Sequence, residues 1–201
     1  MKHYLAKSTY LGALFTLLLL TACTGGLFGA PELNGTVYTE PRTTPEFTLQ
    51  NAAGEPVSLQ DYRGKVIPIY FGYTFCPDVC PLTMANLARV QAQVDDDGDE
   101  MQVLMITVDP QRDSATVVQD YVESFHPAFV GLSGSEEQIA AATDPFGVFY
   151  ESAAGSDASG YLVDHTARVF VIDKSGALRV TYAYDAAVDD LAADMRLLIA
   201  E

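Results

Sequence analysis

The sequence has no tryptophan, only three cysteines, and few basic residues. Eleven lysines and arginines face 27 aspartates and glutamates, for a net charge of −16. So acidic a chain is repelled by nucleic acid and by anionic membrane surfaces, which argues against both as partners. It has no low-complexity tract and no repeat at a solenoid period. The acids are spread along the chain except at Asp95–Asp97 with Asp99 and Glu100. That cluster lacks the ligand spacing of a calcium loop and reads as a solvated helix end. Long apolar runs are missing as well. Tyr10 to Leu20 is apolar but too short to span a bilayer, which takes about 20 residues.

What is present begins with a leader pattern. Lys2, His3 and Lys7 precede the apolar run, and Leu20-Thr21-Ala22-Cys23 follows it. This resembles a bacterial lipobox, in which the cysteine is lipidated and becomes the first mature residue. Residues 1–22 are therefore expected to be a lipoprotein signal peptide, with Cys23 as the lipid anchor and the domain outside the cytoplasm at a cell membrane. A plain secretory signal is the alternative. Removing residues 1–22 takes away two lysines and no acids, which moves the net charge to −18. Residues 23–44 are rich in Gly, Pro and Thr and read as a flexible tether. The remaining 45–201 is enough for one domain.

With Cys23 lipidated, Cys76 and Cys80 are the only thiol pair in an oxidising compartment. A domain this large does not need a staple, so the pair reads as chemical. It lies between the apolar run Val66 to Phe71 and an amphipathic stretch from Leu82 to Val94. A thiolate at a helix start is favoured by free N–H groups and by the helix dipole. Cβ atoms at i and i+4 on a helix are about 5–6 Å apart, while a disulfide wants about 3.5–4.5 Å. Cys76 is therefore expected in the loop before the helix, with Cys80 in its first turn. The spacing leans towards a shared soft metal ion and leaves a disulfide open.

Two thiolates leave copper(I) or zinc under-coordinated, so a third ligand is sought. His3 is in the leader. His126, at an expected helix end, reads as solvated or facing the helix dipole. His165 stands just before a strand and just after Glu151 to Gly160, a small, polar stretch read as a mobile loop. The remaining pattern gives a hairpin around Asn51–Pro56, strands near 66–71, 103–108 and 129–132, and a helix capped by Ser114. A capping box Ser135–Gln138, a hairpin around Lys174–Gly176 and a last helix striped by Val188, Leu191, Met195, Leu198 and Ile199 complete it. Pro68 inside its strand predicts a local break in pairing or a bulge. This order implies an α/β, thioredoxin-like fold: a central mixed sheet flanked by helices, with an N-terminal β-hairpin extension. In that order the loop before the late strand approaches the helix start, which brings His165 towards the thiols.

Gly72-Tyr73-Thr74-Phe75-Cys76-Pro77-Asp78-Val79-Cys80-Pro81, then Val108-Asp109-Pro110-Gln111-Arg112-Asp113, Gly131-Leu132-Ser133-Gly134-Ser135 and Asp164-His165-Thr166 closely resemble the Sco/SenC family. The resemblance runs from about Glu46 to the C-terminus. It implies a membrane-tethered copper protein that helps to assemble the dinuclear copper centre of cytochrome c oxidase subunit II. Cys76, Cys80 and His165 are then the copper ligands, holding Cu(I) or Cu(II). The two cysteines can also form a redox-active disulfide. Asp78, Asp109 and Asp164 are candidates for tuning the site from around the ligands, and a monomer is expected. Pro68 and Ser114 depart from the family pattern without touching a ligand.

The physical chemistry agrees, because copper(I) prefers soft thiolates and accepts low coordination. Met84 reads as core rather than ligand, and Tyr73 and Phe75 as groups that keep water from the site. The main rival is a thiol–disulfide oxidoreductase, weakened by three residues between the thiols and by the missing tryptophan. A peroxidase is disfavoured by Tyr73, and a structural zinc domain by the lack of a fourth ligand.

Overall fold

The computed structural model describes residues 32–44, 46–95, 98–156 and 160–201. Residues 1–22, expected to be a signal peptide, Cys23 and part of the Asp95–Glu100 acidic cluster lie outside them.

Ten strands and four helices occur among the described residues. Strands β1 (Thr36–Thr43), β2 (Thr48–Gln50), β3 (Pro56–Ser58) and β4 (Ile67–Gly72) precede helix α1 (Val79–Val94). Then come β5 (Leu104–Thr107), α2 (Ala115–Glu123), β6 (Val130–Leu132) and α3 (Glu136–Thr143). The chain ends with β7 (Tyr150–Ala153), β8 (Leu162–His165), β9 (Arg168–Ile172), β10 (Ala177–Ala183) and α4 (Val188–Ala200). Six strands form one mixed sheet in the order β1-β10-β9-β4-β5-β6. β4, β5 and β6 run parallel, β9 pairs antiparallel with β4, and β10 pairs antiparallel with β9. The thioredoxin-like α/β expectation holds, and β2–β3 is the early hairpin extension.

The local chemistry explains the elements. β4 is buried at all six residues, as a central strand requires. Its ladder to β5 runs from Ile69–Leu104, with an isolated bridge at Val66–Met101. The gap falls at Pro68, which has no N–H to give, and the register towards β9 passes it without a bulge. Ser114 Oγ accepts from the Val117 N–H at the start of α2, and the Ser135–Gln138 capping box opens α3. In α4, Val188, Leu191, Met195 and Leu198 are buried as the stripe predicted.

Two expectations need correction. Residues 36–43, read as part of the tether, form edge strand β1 against β10. The segment carries no apolar alternation, because an edge strand is held by backbone bonds and Val37 is 47% exposed. Its register shifts between Val37 and Arg42, a break that an edge strand tolerates. Just before it, Asn34 donates from its backbone N–H and its amide to the buried Asp194 carboxylate, each at 2.7 Å. The second correction concerns the polar loop after Tyr150. Its residues 151–153 belong to β7, which pairs with β8 as a small hairpin outside the main sheet.

Candidate metal centre

Three elements meet at the C-terminal end of β4. The strand delivers residues 73–78 as a loop, and α1 starts at Val79. Cys76 lies in that loop and is half-buried, while Cys80 is the second residue of α1 and fully buried. Both are free thiols. The loop is tied to the next connection: Thr74 donates to the buried Asp113 carboxylate from its N–H (2.9 Å) and its hydroxyl (2.5 Å). Thr107 Oγ1 donates to the same carboxylate at 2.8 Å. His165 ends β8, and its Nε2 lies 3.4 Å from Cys80 Sγ. One ligand atom each from Cys76, Cys80 and His165 all fall within 4.8 Å of one another.

Tyrosines wall this cluster. Tyr70 and Tyr73 present their rings edge-on to the imidazole, at centroid distances of 6.0 and 5.8 Å. The Tyr70 hydroxyl donates to Cys80 Sγ at 3.5 Å. Gly72 makes the approach possible, because a Cβ there would lie 2.6 Å from Tyr70 Cε1 and 3.1 Å from Cys80 Sγ. His165 Nδ1 is buried without a hydrogen-bond partner.

The two thiols are electrostatically unlike. Cys76 is held far below the ordinary thiol range, chiefly by the Cys80 thiol donating to it, then by His165 and the N–H groups of Asp78 and Cys80, against the opposing effect of burial. Cys80 is pushed far up by the neighbouring Cys76 sulfur and by burial. The metal-free pair is thus one thiolate beside one thiol. Together with an imidazole this is a soft donor set of low coordination number, which suits copper(I) better than a closed tetrahedral zinc site.

The aspartates divide. Asp109 is buried, bound to Arg112 Nε at 2.5 Å and to the Tyr161 hydroxyl at 2.6 Å. Arg112 also donates to the Tyr161 carbonyl at 2.9 Å and stacks over that ring at 3.7 Å. This clasp joins the end of β5 to the segment leading into β8. Asp78 is exposed at the α1 N-cap position, and its side chain makes no capping bond. Asp164 is exposed and alternates with His165 along β8, so it faces away from the thiols.

Other residues also sort themselves. Met84 is core, as expected. His126 is buried rather than solvated, its Nδ1 accepting from the Ala128 N–H at 3.2 Å. Tyr73 is buried beside His165, but Phe75 is 55% exposed and lies 4.8 Å below the Arg112 guanidinium, so it does not cover the site. Sequence reasoning missed Tyr70 and Tyr161. Tyr70 was findable, being two residues before Gly72 on the same strand face. Tyr161 carries no local signal.

Comparison with known proteins agrees with this geometry. The mouse (Mus musculus) mitochondrial SCO2 homolog is 32% identical over 157 residues, 77% of this chain and 62% of that protein. The SCO2-like protein of Rickettsia felis is 36% identical over 132 residues, 65% of this chain and 64% of that protein. The chain thus matches under two thirds of the length of these relatives. Among solved structures, apo Sco1 from Thermus thermophilus superposes with a TM-score of 0.74 at 39% identity, covering 82% of this chain and 96% of that one. Arabidopsis thaliana ScoI with copper bound gives 0.73 at 31% identity, covering 79% and 98%. The family described as SCO1/SenC matches residues 36–200, and the chain belongs to it.

Proposed function

We propose that this chain carries copper on Cys76, Cys80 and His165 and hands it to cytochrome c oxidase subunit II or an acceptor with a similar dinuclear copper site. The observation that carries the reading is the convergence of two sulfurs and one imidazole nitrogen within 4.8 Å. Relatives from Arabidopsis thaliana, Bradyrhizobium japonicum and yeast, 29–31% identical, are described with copper bound. A Bacillus anthracis relative at 25% identity is described as a lipoprotein, which supports lipid attachment at Cys23 and a membrane tether over the residues before β1.

Copper is cargo in this reading. Cys76 meets it as a thiolate, Cys80 loses its proton on binding, and His165 Nε2 completes the set. Transfer proceeds by ligand exchange: His165 withdraws as a ligand of the acceptor enters, so the ion is never free. The test is anaerobic Cu(I) titration followed by transfer to an apo subunit II fragment. One equivalent should bind, and Cys76→Ser, Cys80→Ser and His165→Ala should each weaken binding. A His165→Ala protein that delivers copper at the wild-type rate overturns the exchange step.

A second reading is favoured by the unlike thiols. An accessible thiolate beside a buried thiol is the layout of an attacking and a resolving cysteine. Cys76 would attack an acceptor disulfide and release one acceptor thiolate. Cys80 would then give up its proton and attack Cys76 Sγ, releasing the second. Two electrons pass to the acceptor, and an external dithiol must reset the chain. Such turnover persisting in His165→Ala, with no copper retained by the wild type, selects this reading.

A further inference from the structure

The Tyr70 hydroxyl touches a candidate ligand sulfur, that of Cys80. Tyr70 sits in the middle of β4 with no exposed surface, in the central part of the sheet. A phenol keeps its proton at neutral pH, so the Tyr70 hydroxyl acts as a donor. Its O–H points at Cys80 Sγ at 3.5 Å, and its ring edge lies against His165. The position is built in from two sides. The following strand residue on that face is Gly72, and any Cβ there would collide with both the Tyr70 ring and the Cys80 sulfur.

We infer that Tyr70 is a positioning residue that sets which oxidation state of copper the site prefers, by donating a hydrogen bond to the Cys80 sulfur. This rests on the copper reading above. A donor on a thiolate sulfur withdraws electron density from it. Copper(II) depends on sulfur donation more than copper(I) does, so the bond favours the reduced ion. In the metal-free protein the Cys80 thiol donates to Cys76, which leaves its sulfur a better acceptor for Tyr70 than a disulfide sulfur, so the same bond stabilises the reduced pair.

The experiment compares wild type, Tyr70→Phe and 3-fluorotyrosine installed at position 70. Fluorine leaves the ring nearly the same size and makes the phenol a stronger donor. With Cu(II) bound, the thiolate-to-copper charge-transfer band should move to lower energy in Tyr70→Phe and to higher energy in the fluorinated protein. The ratio of Cu(I) to Cu(II) affinity should fall about tenfold in Tyr70→Phe and rise in the fluorinated protein. Opposite shifts separate hydrogen-bond strength from packing, which would move both variants the same way. The nearly isosteric fluorinated protein decides the matter if Tyr70→Phe fails to fold.

A copper-free arm equilibrates each protein with reduced and oxidised dithiothreitol. Oxidation moves two electrons from the Cys76–Cys80 pair to the oxidised reagent, which takes up one proton from Cys80 and one from solvent. Tyr70→Phe should shift that equilibrium about tenfold towards the disulfide, the size of one lost hydrogen bond. Identical bands, affinity ratios and dithiol equilibria across the three proteins overturn the inference. A wild type that takes up no copper refutes the carrier reading instead, and the dithiol arm still decides the role of Tyr70.

Discussion

Replacing Gly72 by alanine perturbs the site with a single methyl group. Gly72 does not sit at positive φ, so its backbone is one that alanine accepts and only space is at issue. The added Cβ would lie 2.6 Å from Tyr70 Cε1 and 3.1 Å from Cys80 Sγ. Carbon atoms in contact prefer about 3.5–4.0 Å, so the Tyr70 ring must move by about 1 Å. It is buried in a central strand, and overpacking of that kind costs about 1–3 kcal/mol. For a domain of this size each kcal/mol lowers Tm by about 2–4 °C, giving a fall of about 2–12 °C. The displaced groups are the proposed ligand sulfur of Cys80 and its hydrogen-bond donor, so Cu(I) affinity should fall along with stability. Gly54→Ala is the control: Gly54 has φ +77 with nothing within 4 Å, so that change costs about 1 kcal/mol of backbone strain and spares the site. The assay pairs thermal melting of the reduced apo protein with Cu(I) competition against a chelator. If Gly72→Ala melts and binds like the wild type, or if the two variants weaken copper equally, the steric reasoning is wrong.

Asp113→Ala removes the acceptor for Thr74 and Thr107 and should lower stability by about 3 kcal/mol, read from urea unfolding; an unchanged midpoint would contradict this. The lowered pKa of Cys76 predicts that iodoacetamide at pH 6 labels Cys76 and spares Cys80, as peptide mass spectrometry would show. Equal labelling that begins only above pH 8 would speak against the thiolate. Burial pulls the Asp173 pKa up, but the Ser175 hydroxyl, the Ala177 N–H and Arg179 outweigh it, leaving the folded value below the ordinary one. Its stabilisation is therefore fully present above about pH 4 and is lost as pH falls through the folded value. Asp173→Asn should flatten the loss of Tm on acidification below pH 4, and an unaltered Tm–pH curve would exclude that role.

The parts of the fold legible in the sequence are those in which local chemistry and tertiary burial agree. β4 reads as a buried strand because it is apolar throughout, and α3 reads as a helix because Ser135 and Gln138 cap it. The convergence of Cys76, Cys80 and His165 was legible for a similar reason. The Cys76–Cys80 spacing and the strand–helix order confine where His165 can lie, and its Nε2 does reach Cys80. What escaped is held by long-range backbone bonds or lone contacts. β1 is recruited by β10, about 140 residues away, and its own side chains do not advertise it. β7 is polar and half-exposed, so its pairing with β8 leaves no apolar alternation. Asp164 is a candidate for tuning the site on the sequence, yet strand geometry turns it to the face opposite His165.

The unequal support of the three ligands bears on how copper would leave. Cys80 is fixed in α1, without exposed surface, under the Tyr70 hydroxyl. Cys76 rides a loop, but that loop is fastened to a buried carboxylate through Thr74. His165 sits on a two-stranded hairpin outside the six-stranded sheet. Its Nδ1 has no acceptor, although a histidine bound to metal usually has its orientation fixed through the second nitrogen. Directly opposite each other on the outer face of that hairpin stand Glu151 and Asp164, a like-charged pair that weakens the pairing. Against this, the Arg112–Asp109–Tyr161 clasp holds the entry to β8. Moving Cys80 would disturb the sheet and helix core, whereas moving His165 asks for hairpin contacts, one clasp and the edge-on contacts with the Tyr70 and Tyr73 rings. If the chain carries copper as proposed, the imidazole would be the ligand withdrawn at least cost and the buried sulfur the one to release the ion last.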